Sequence, residues 1–218
     1  MERDIELMIN SPEKPSFIEE EGLRAGGYRF IAGIDEAGRG TLAGPVTAAA
    51  VILPSRIDTP WQDEIRDSKQ LRPARREYLF QHIKETAIST GIGMVPPETI
   101  DAQGIVKATK SAMKTAIERL SPAPDYLLID YLLLPEVTLP QKGITNGDRL
   151  CFSIACASII AKVTRDRFMV QLDRVYPGYG LAKHKGYGTR EHLSCLCRMG
   201  ACPVHRRSFR PVREVIEQ

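Results

Sequence analysis

Two short apolar stretches of the chain run into an aspartate. "YRFIAGID" ends on Asp35, and "DYLLIDYLLL" carries Asp130 directly after Leu127, Leu128 and Ile129. Stretches of this length, rich in aliphatic residues and bounded by glycine or proline, form buried strands. An ionised carboxylate at the end of such a strand costs several kcal/mol unless it is paired or bound to a cation. Any fold of this chain must therefore bring positive charge to the ends of two strands.

The surrounding pattern predicts how those strands are framed. "PVTAAAVILP" reads as a second strand, joined to the first by the glycine-rich "EAGRGTLAG", a hairpin-like pair whose loop lies beside the acid. "RPARREYLFQHIKET" predicts a helix with Tyr78, Leu79, Ile83 and Thr86 in helical spacing, and "STGIGMV" a third strand. "IVKATKSAMKTAIERL" predicts a helix with Val106, Met113, Ile117 and Leu120 on one stripe, stopped by Pro122 and Pro124. From about Phe152 to Tyr176 a longer helix is expected, with Ala157, Ala161, Phe168, Leu172 and Val175 near one face and Asp148 just before its start. "PGYGLAKHKGYGT" reads as a loop, and Thr189 as the cap of a helix that ends at Gly200. Strands first, then alternating helix and strand, then helices predict an α/β core: a mixed central sheet flanked by helices, with a small helical C-terminal region.

At 218 residues the chain can build one sizeable core. No apolar run approaches the roughly 18 residues of a membrane span. "MERDIELMINSPEKP" lacks the apolar segment of a secretory signal, so a soluble, cytoplasmic protein is expected. Net charge is only +3, but Lys162 to Arg213 holds 12 Lys and Arg against 3 Asp and Glu. That quarter reads either as a polyanion surface or as a solvated face. Five cysteines, three of them in "CLCRMGAC", argue against a disulfide framework. Cys195, Cys197, Cys202 and His205 could be read as zinc ligands, but their spacing is unlike the usual C-x2-C pairs, and free buried cysteines are expected instead.

Glu36 beside Asp35, and Asp148 at a helix start, raise the number of candidate acids to four. Hard oxygen ligands of this kind suit Mg²⁺ or Mn²⁺, and two such ions can clamp a phosphodiester for hydrolysis. The same acids could instead be salt-bridge partners, or for Asp148 a group facing helix N-terminal amides. Neighbours on a strand point to opposite faces, so Asp35 and Glu36 share a site only if the strand ends or bends near Ala37-Gly38, or if Glu36 contributes partly through its backbone carbonyl.

"GIDEAGRGTLAGPVTAAAVIL", "DSKQL", "LLID", "GD" ahead of a helix, "SIIAKVTRDR", "YPGYGLAKHKGYGT" and "HRRSF" follow one another between about residues 29 and 213. In this order they closely resemble bacterial ribonuclease HII, the type 2 ribonuclease H family. The resemblance implies a ribonuclease H-like fold. It also implies an endoribonuclease that hydrolyses the RNA strand of RNA–DNA hybrids and nicks 5′ of single ribonucleotides embedded in duplex DNA. The implied chemistry is two-metal-ion hydrolysis with Mg²⁺ or Mn²⁺, leaving 3′-hydroxyl and 5′-phosphate ends. Carried over residue by residue, the catalytic and metal-binding acids are Asp35, Glu36, Asp130 and Asp148. Gly38, Arg39 and Gly40 match the loop that senses the ribose 2′-hydroxyl through its backbone, Tyr187 the tyrosine that packs on the sugar, and Lys69 a phosphate contact. Glycines allow such close backbone approach, and the 2′-hydroxyl is what separates RNA from DNA. The implied organisation is an N-terminal extension over 1–27, a catalytic core over 28–180 and a substrate-binding helical region over 181–218, acting as a monomer on RNA–DNA hybrid and ribonucleotide-containing duplex DNA with no membrane involved.

Two positions depart from the family pattern. Thr41 stands where proline usually follows Gly-Arg-Gly, which predicts a less rigid loop. Tyr131 follows Asp130 where glycine is common, which predicts either crowding of the site or loss of a conformation that glycine favours. Two rival readings remain at this level: a DNA nuclease or strand-transfer enzyme with a similar acidic cluster, and a non-catalytic relative that only binds nucleic acid.

Overall fold

The structure, a computed structural model, describes residues 14–217; residues 1–13 of the expected extension lie outside them. Five strands form one mixed sheet: β1 (Ile31–Ala37), β2 (Val46–Ile52), β3 (Ser89–Val95), β4 (Tyr126–Asp130) and β5 (Gln141–Ile144). Their order across the sheet is β3-β2-β1-β4-β5. The first three pair antiparallel, whereas β1–β4 and β4–β5 pair parallel. Around the sheet lie α1 (Ile18–Ala25), α2 (Pro73–Thr86), α3 (Pro97–Gln103), α4 (Ile105–Glu118), the single turn α5 (Gly147–Leu150), α6 (Phe152–Val175), the single turn α7 (Leu181–His184), α8 (Arg190–Met199) and α9 (Arg210–Ile216). No helix among the described residues is long and apolar enough to cross a membrane.

Alternation along the strands builds the two faces. Ala48, Ala50 and Ile52 with Ala32 and Ile34 pack towards α4, while Ala49 and Val51 pack towards α6 and α2. Small residues bring the helices close. A Cβ on Gly91 or Gly93 would run into the backbone of Ala116 or Ala112 in α4, and one on Gly33 into the backbone of Ser153 in α6. The closeness explains a difference from the expected stripe of α4. Met113 and Ile117 are buried as predicted, but Ala108, Ala112 and Ala116 complete the face and Val106 is 49% exposed. Tyr78 and Val175 likewise turn outward, and Phe80 takes the inner position on α2. Thr189 caps α8, its hydroxyl accepting the His192 N–H, and Gly200 ends that helix at φ 75°, both as the sequence predicts.

The described part of the expected extension packs onto the core. α1 closes over the start of α6: Glu20, 1% exposed, accepts the Ser153 N–H at 2.7 Å and the Cys151 thiol at 3.2 Å. Phe17 stacks on Phe152 with ring centroids 4.3 Å apart, and Lys142 on β5 pairs with Glu19 at 2.8 Å. α6 has no cap from its own neighbouring side chain, so Glu20 satisfies one of its orphan amides from far away in sequence. Replacing Glu20 with Ala is expected to destabilise the protein by about 1–3 kcal/mol. At this chain length that lowers Tm by about 2–4 °C per kcal/mol. Urea titration monitored by circular dichroism measures it, and a midpoint equal to that of the parent protein would show that the Glu20 bond contributes nothing.

Candidate active site

Strand register assembles the acids. In the parallel pair β1–β4, Ile34 lies opposite Ile129, and the next step of the same register sets Asp35 beside Asp130 at the carboxyl ends of both strands. Asp130 in turn neighbours Ile144 on β5. The chain then turns through Asn146 at φ 57°, so that the Gly147 N–H donates to Asp130 Oδ1 at 2.7 Å and Asp148 follows, 5% exposed. Glu36 sits on the β1 extension that β4 no longer accompanies. It lines the same cavity as Asp35, which removes the objection that strand neighbours point apart.

That cavity measures about 210 Å³ and brings together most of the residues singled out in the sequence: Asp35, Glu36, Gly38, Arg39, Gly40, Lys69, Asp130 and Tyr187 all line it. Asp148 stands at its edge, with Oδ2 3.6 Å from Lys69 Nζ. Ser68, Ser158 and Lys162 also line the cavity and were not anticipated. Ser158 and Lys162 are one helical turn apart on α6, and that polar spacing within an otherwise buried helix was the available signal.

All four acids are held above their ordinary pKa. For Asp35 burial is the largest cause, followed by repulsion from Glu36 and Asp130, against a 2.6 Å hydrogen bond from the Glu36 N–H. Burial also dominates for Glu36, opposed by Arg39, whose Nη1 lies 3.3 Å from Glu36 Oε1. Asp130 and Asp148 are raised by burial as well; the Gly147 N–H works against it for Asp130, while Asp67 adds repulsion for Asp148. Burial works to lower the Lys69 pKa, but Asp148 and Asp67 outweigh it and hold the ammonium above its usual value.

Among the described residues no three His, Cys, Asp or Glu side chains stand ready as a metal cage. The donor chemistry nevertheless fits a hard divalent cation: four carboxylates that repel one another, and a buried Glu36 Oε2 with no hydrogen-bond partner. The zinc alternative has no such support. Cys197 is exposed, and Cys202 lies against His205 with Sγ 3.1 Å from Nδ1. All five cysteines are free.

Both departures from the family pattern are accommodated differently from expectation. Thr41 is fully buried, and its hydroxyl lies 3.1 Å from the carbonyls of Gly38 and Ala43 while accepting from Arg165 Nη2 at 2.8 Å. Hydrogen bonds thus hold the loop where a proline ring would have fixed φ. Tyr131 keeps the left-handed backbone, at φ 61°, and is 66% exposed, so it turns away and does not crowd the acids. Tyr187 is fixed through its backbone: its carbonyl accepts from Thr189 N–H at 2.8 Å and lies 2.9 Å from His192 Nδ1. Lys162 Nζ lies 5.5 Å from the centre of its ring. The basic C-terminal quarter is less open than its composition suggests. Arg165 and Arg206 are fully buried, and Arg167, Lys183 and Arg210 pair with Glu77, Glu191 and Glu214.

Residues 32–212 match the family model described as ribonuclease HII. The chain is similar to ribonuclease HII of Dehalococcoides mccartyi, 58% identical over 203 residues that cover 93% of this chain and 96% of that protein. Its similarity to ribonuclease HII of Geobacter sulfurreducens is 50% identity over 208 residues, 95% and 94% of the two chains. In three dimensions it resembles ribonuclease H2 of Pyrococcus horikoshii with a TM-score of 0.73 at 25% identity, covering 86% of this chain and 97% of that one. The mixed sheet flanked by helices is thus the fold expected from the sequence.

Two consequences of the charge and strain at this site are measurable. Because burial and neighbouring acids hold the Asp35 pKa well above the usual carboxylate range, ionising it is penalised in the folded state and stability is lost as pH rises above that range. Asp35→Asn is expected to raise Tm at pH 7 in the absence of divalent cations, by a few degrees. The gap should close as pH falls towards 4 and the parent carboxyl takes up its proton; a Tm lower than the parent's at pH 7 would contradict this account. Tyr131→Gly relieves a left-handed aromatic residue, worth about 1–2 kcal/mol, and returns about 0.5–1 kcal/mol of chain entropy to the unfolded state. A net gain of up to about 1 kcal/mol in urea unfolding is expected.

Proposed function

The chain belongs to the ribonuclease HII family, and from that membership and the geometry of its site we propose that it nicks duplex DNA on the 5′ side of a single embedded ribonucleotide. Membership itself makes it a hydrolase of RNA in RNA–DNA hybrids. The observation that carries the finer reading is the juxtaposition of Asp35 and Asp130, through strand register, with the Gly38–Gly40 loop and Tyr187 around one cavity. In this reading Asp35, Glu36, Asp130 and Asp148 would hold two divalent cations, Mg²⁺ or Mn²⁺. Such ions, when bound, supply an activated water and charge to stabilise the leaving oxygen, giving 3′-hydroxyl and 5′-phosphate ends.

The protein's own groups do the rest. Lys69, exposed at its tip and attracted by Asp148, offers an ammonium to a phosphate at the mouth of the cavity. Gly38, Arg39 and Gly40 present backbone to the sugar. Tyr187 covers the ribose face with its ring, and its tethered backbone keeps that ring in place. A second cleft of about 410 Å³ shares Lys162 and Tyr187 with the first and continues past Arg76, Arg167, Lys183 and Lys185. It suits the backbone of a duplex, although Glu77 and Asp166 on its wall temper its positive potential.

Three duplexes of one sequence test the proposal: all DNA, DNA with one ribonucleotide, and an RNA–DNA hybrid, each with Mg²⁺ or Mn²⁺. Cleavage of the second and third but not the first is expected, with Asp35→Asn slower by at least about 10²-fold, the scale of a lost water-activating group. Equal cutting of the all-DNA duplex would instead make the chain a DNA nuclease. Binding without cleavage under either metal would make it a non-catalytic relative.

A further inference from the structure

Behind the Gly38–Gly40 loop lie two guanidinium groups that form no ion pair among the described residues. Arg206, from the "HRRSF" segment, is fully buried; its Nη2 donates to the Gly38 carbonyl at 2.7 Å, Nη1 to the Arg39 carbonyl at 2.8 Å and Nε to the Gly44 carbonyl at 3.0 Å. Arg165, from α6, is also fully buried and bonds the Pro45, Ala43 and Lys185 carbonyls and the Thr41 hydroxyl. Gly38, at φ 89°, rests so closely on Arg165 that a Cβ there would collide with the guanidinium. Among the described residues neither arginine has an acid within ion-pair distance. Burial lowers the Arg206 pKa to about 9 and that of Arg165 to about 10.

Burying an unpaired charge is costly, and carbonyl dipoles are the compensation here. Their arrangement has a directional consequence. In a trans peptide the C=O and the following N–H point in opposite directions. Arg206 holds the carbonyls of the Gly38–Arg39 and Arg39–Gly40 peptides from the buried side, which turns the Arg39 and Gly40 N–H groups the other way. These residues line the acid cavity, whereas Arg206 does not. Among the described residues neither N–H donates to a protein group. A positive charge on the carbonyl end of each peptide also polarises it and strengthens its N–H as a donor.

We propose that Arg206 is a positioning residue for ribose recognition: it clamps two successive carbonyls of the loop so that the Arg39 and Gly40 amides face the sugar as preoriented, polarised donors. The inference rests on the proposed reading of the cavity as the site that reads a ribonucleotide. It assigns specificity to a buried side chain that never touches substrate. Arg165 supports the same loop from beneath through Thr41, but it spreads over four partners and aims no single peptide.

Arg206→Lys keeps the charge but loses the planar fork that spans both carbonyls. Steady-state cleavage of a duplex with one ribonucleotide gives KM, and competition by the all-DNA duplex of the same sequence gives Ki. For the variant, KM is expected to rise about tenfold, the effect of one misaimed hydrogen bond of about 1.4 kcal/mol, with Ki unchanged. A ratio of Ki to KM equal to the parent's, or a parallel rise in both constants, overturns the inference, the latter because it marks a merely structural role. Should the variant fail to fold, the parent protein carries the test. With EDTA present and duplex at saturation, the Arg39 and Gly40 amide resonances should shift with the ribonucleotide duplex and not with all-DNA duplex. Unresponsive amides would overturn it. A parent enzyme that fails to discriminate the two duplexes defeats the underlying reading of the cavity, whereas a discriminating parent with an equally discriminating Arg206→Lys variant defeats only the role of Arg206.

Discussion

Like charge gathered at the carboxyl ends of β1 and β4 is the constraint around which this molecule is arranged. The parallel register leaves no freedom: once Ile34 is opposite Ile129, Asp35 and Asp130 are neighbours. α6 lies close against β1, which Gly33 permits by leaving room for the Ser153 backbone, and α6 is itself anchored at that point by Glu20 from α1. Hydrophobic burial supplies the stability that offsets the repulsion.

Behind the acids the charge changes sign. The acids line the cavity together with the Gly38–Gly40 loop, whereas Arg206 and Arg165 bond carbonyls of that segment and do not line it. The peptides are dipoles, and the carbonyls of Gly38, Arg39 and Gly44 all point to Arg206. A strand-like bridge between Ala43 and His205, together with the Leu42 and Arg206 backbone bonds, fastens the C-terminal segment to the loop. The two chain regions thus meet in a single electrostatic stack.

Local pattern made much of this legible. The two apolar runs ending on aspartate, the hairpin, the long helix after Asp148 and the Thr189 cap all reflect short-range periodicity and capping chemistry, which sequence carries directly. β5 was not legible because "QKGI" has neither length nor alternation; it becomes a strand by pairing with β4. α1 was hidden in an acidic, proline-flanked segment whose helix is justified only by the distant amide that Glu20 caps. Arg165 and Arg206 looked like members of a basic surface because composition records charge without depth. Most residues singled out by resemblance line one cavity, but no spacing rule could have announced the Arg206 contacts with the loop carbonyls, which span 168 residues.

Thr41 illustrates how such a site tolerates a local departure. A proline at that position would restrict φ without needing a partner, and its effect would lie mainly in the unfolded chain. Threonine restricts the same loop through a hydroxyl that bonds Gly38 or Ala43 and receives Arg165, so the stiffness depends on a buried charge being in place. The loop has exchanged an intrinsic constraint for a tertiary one. Order in the loop is thereby coupled to the docking of α6, since Arg165 is part of that helix. α6 also brings Ser158 and Lys162 to the cavity that the acids line, so one helix both braces the loop and completes the cavity.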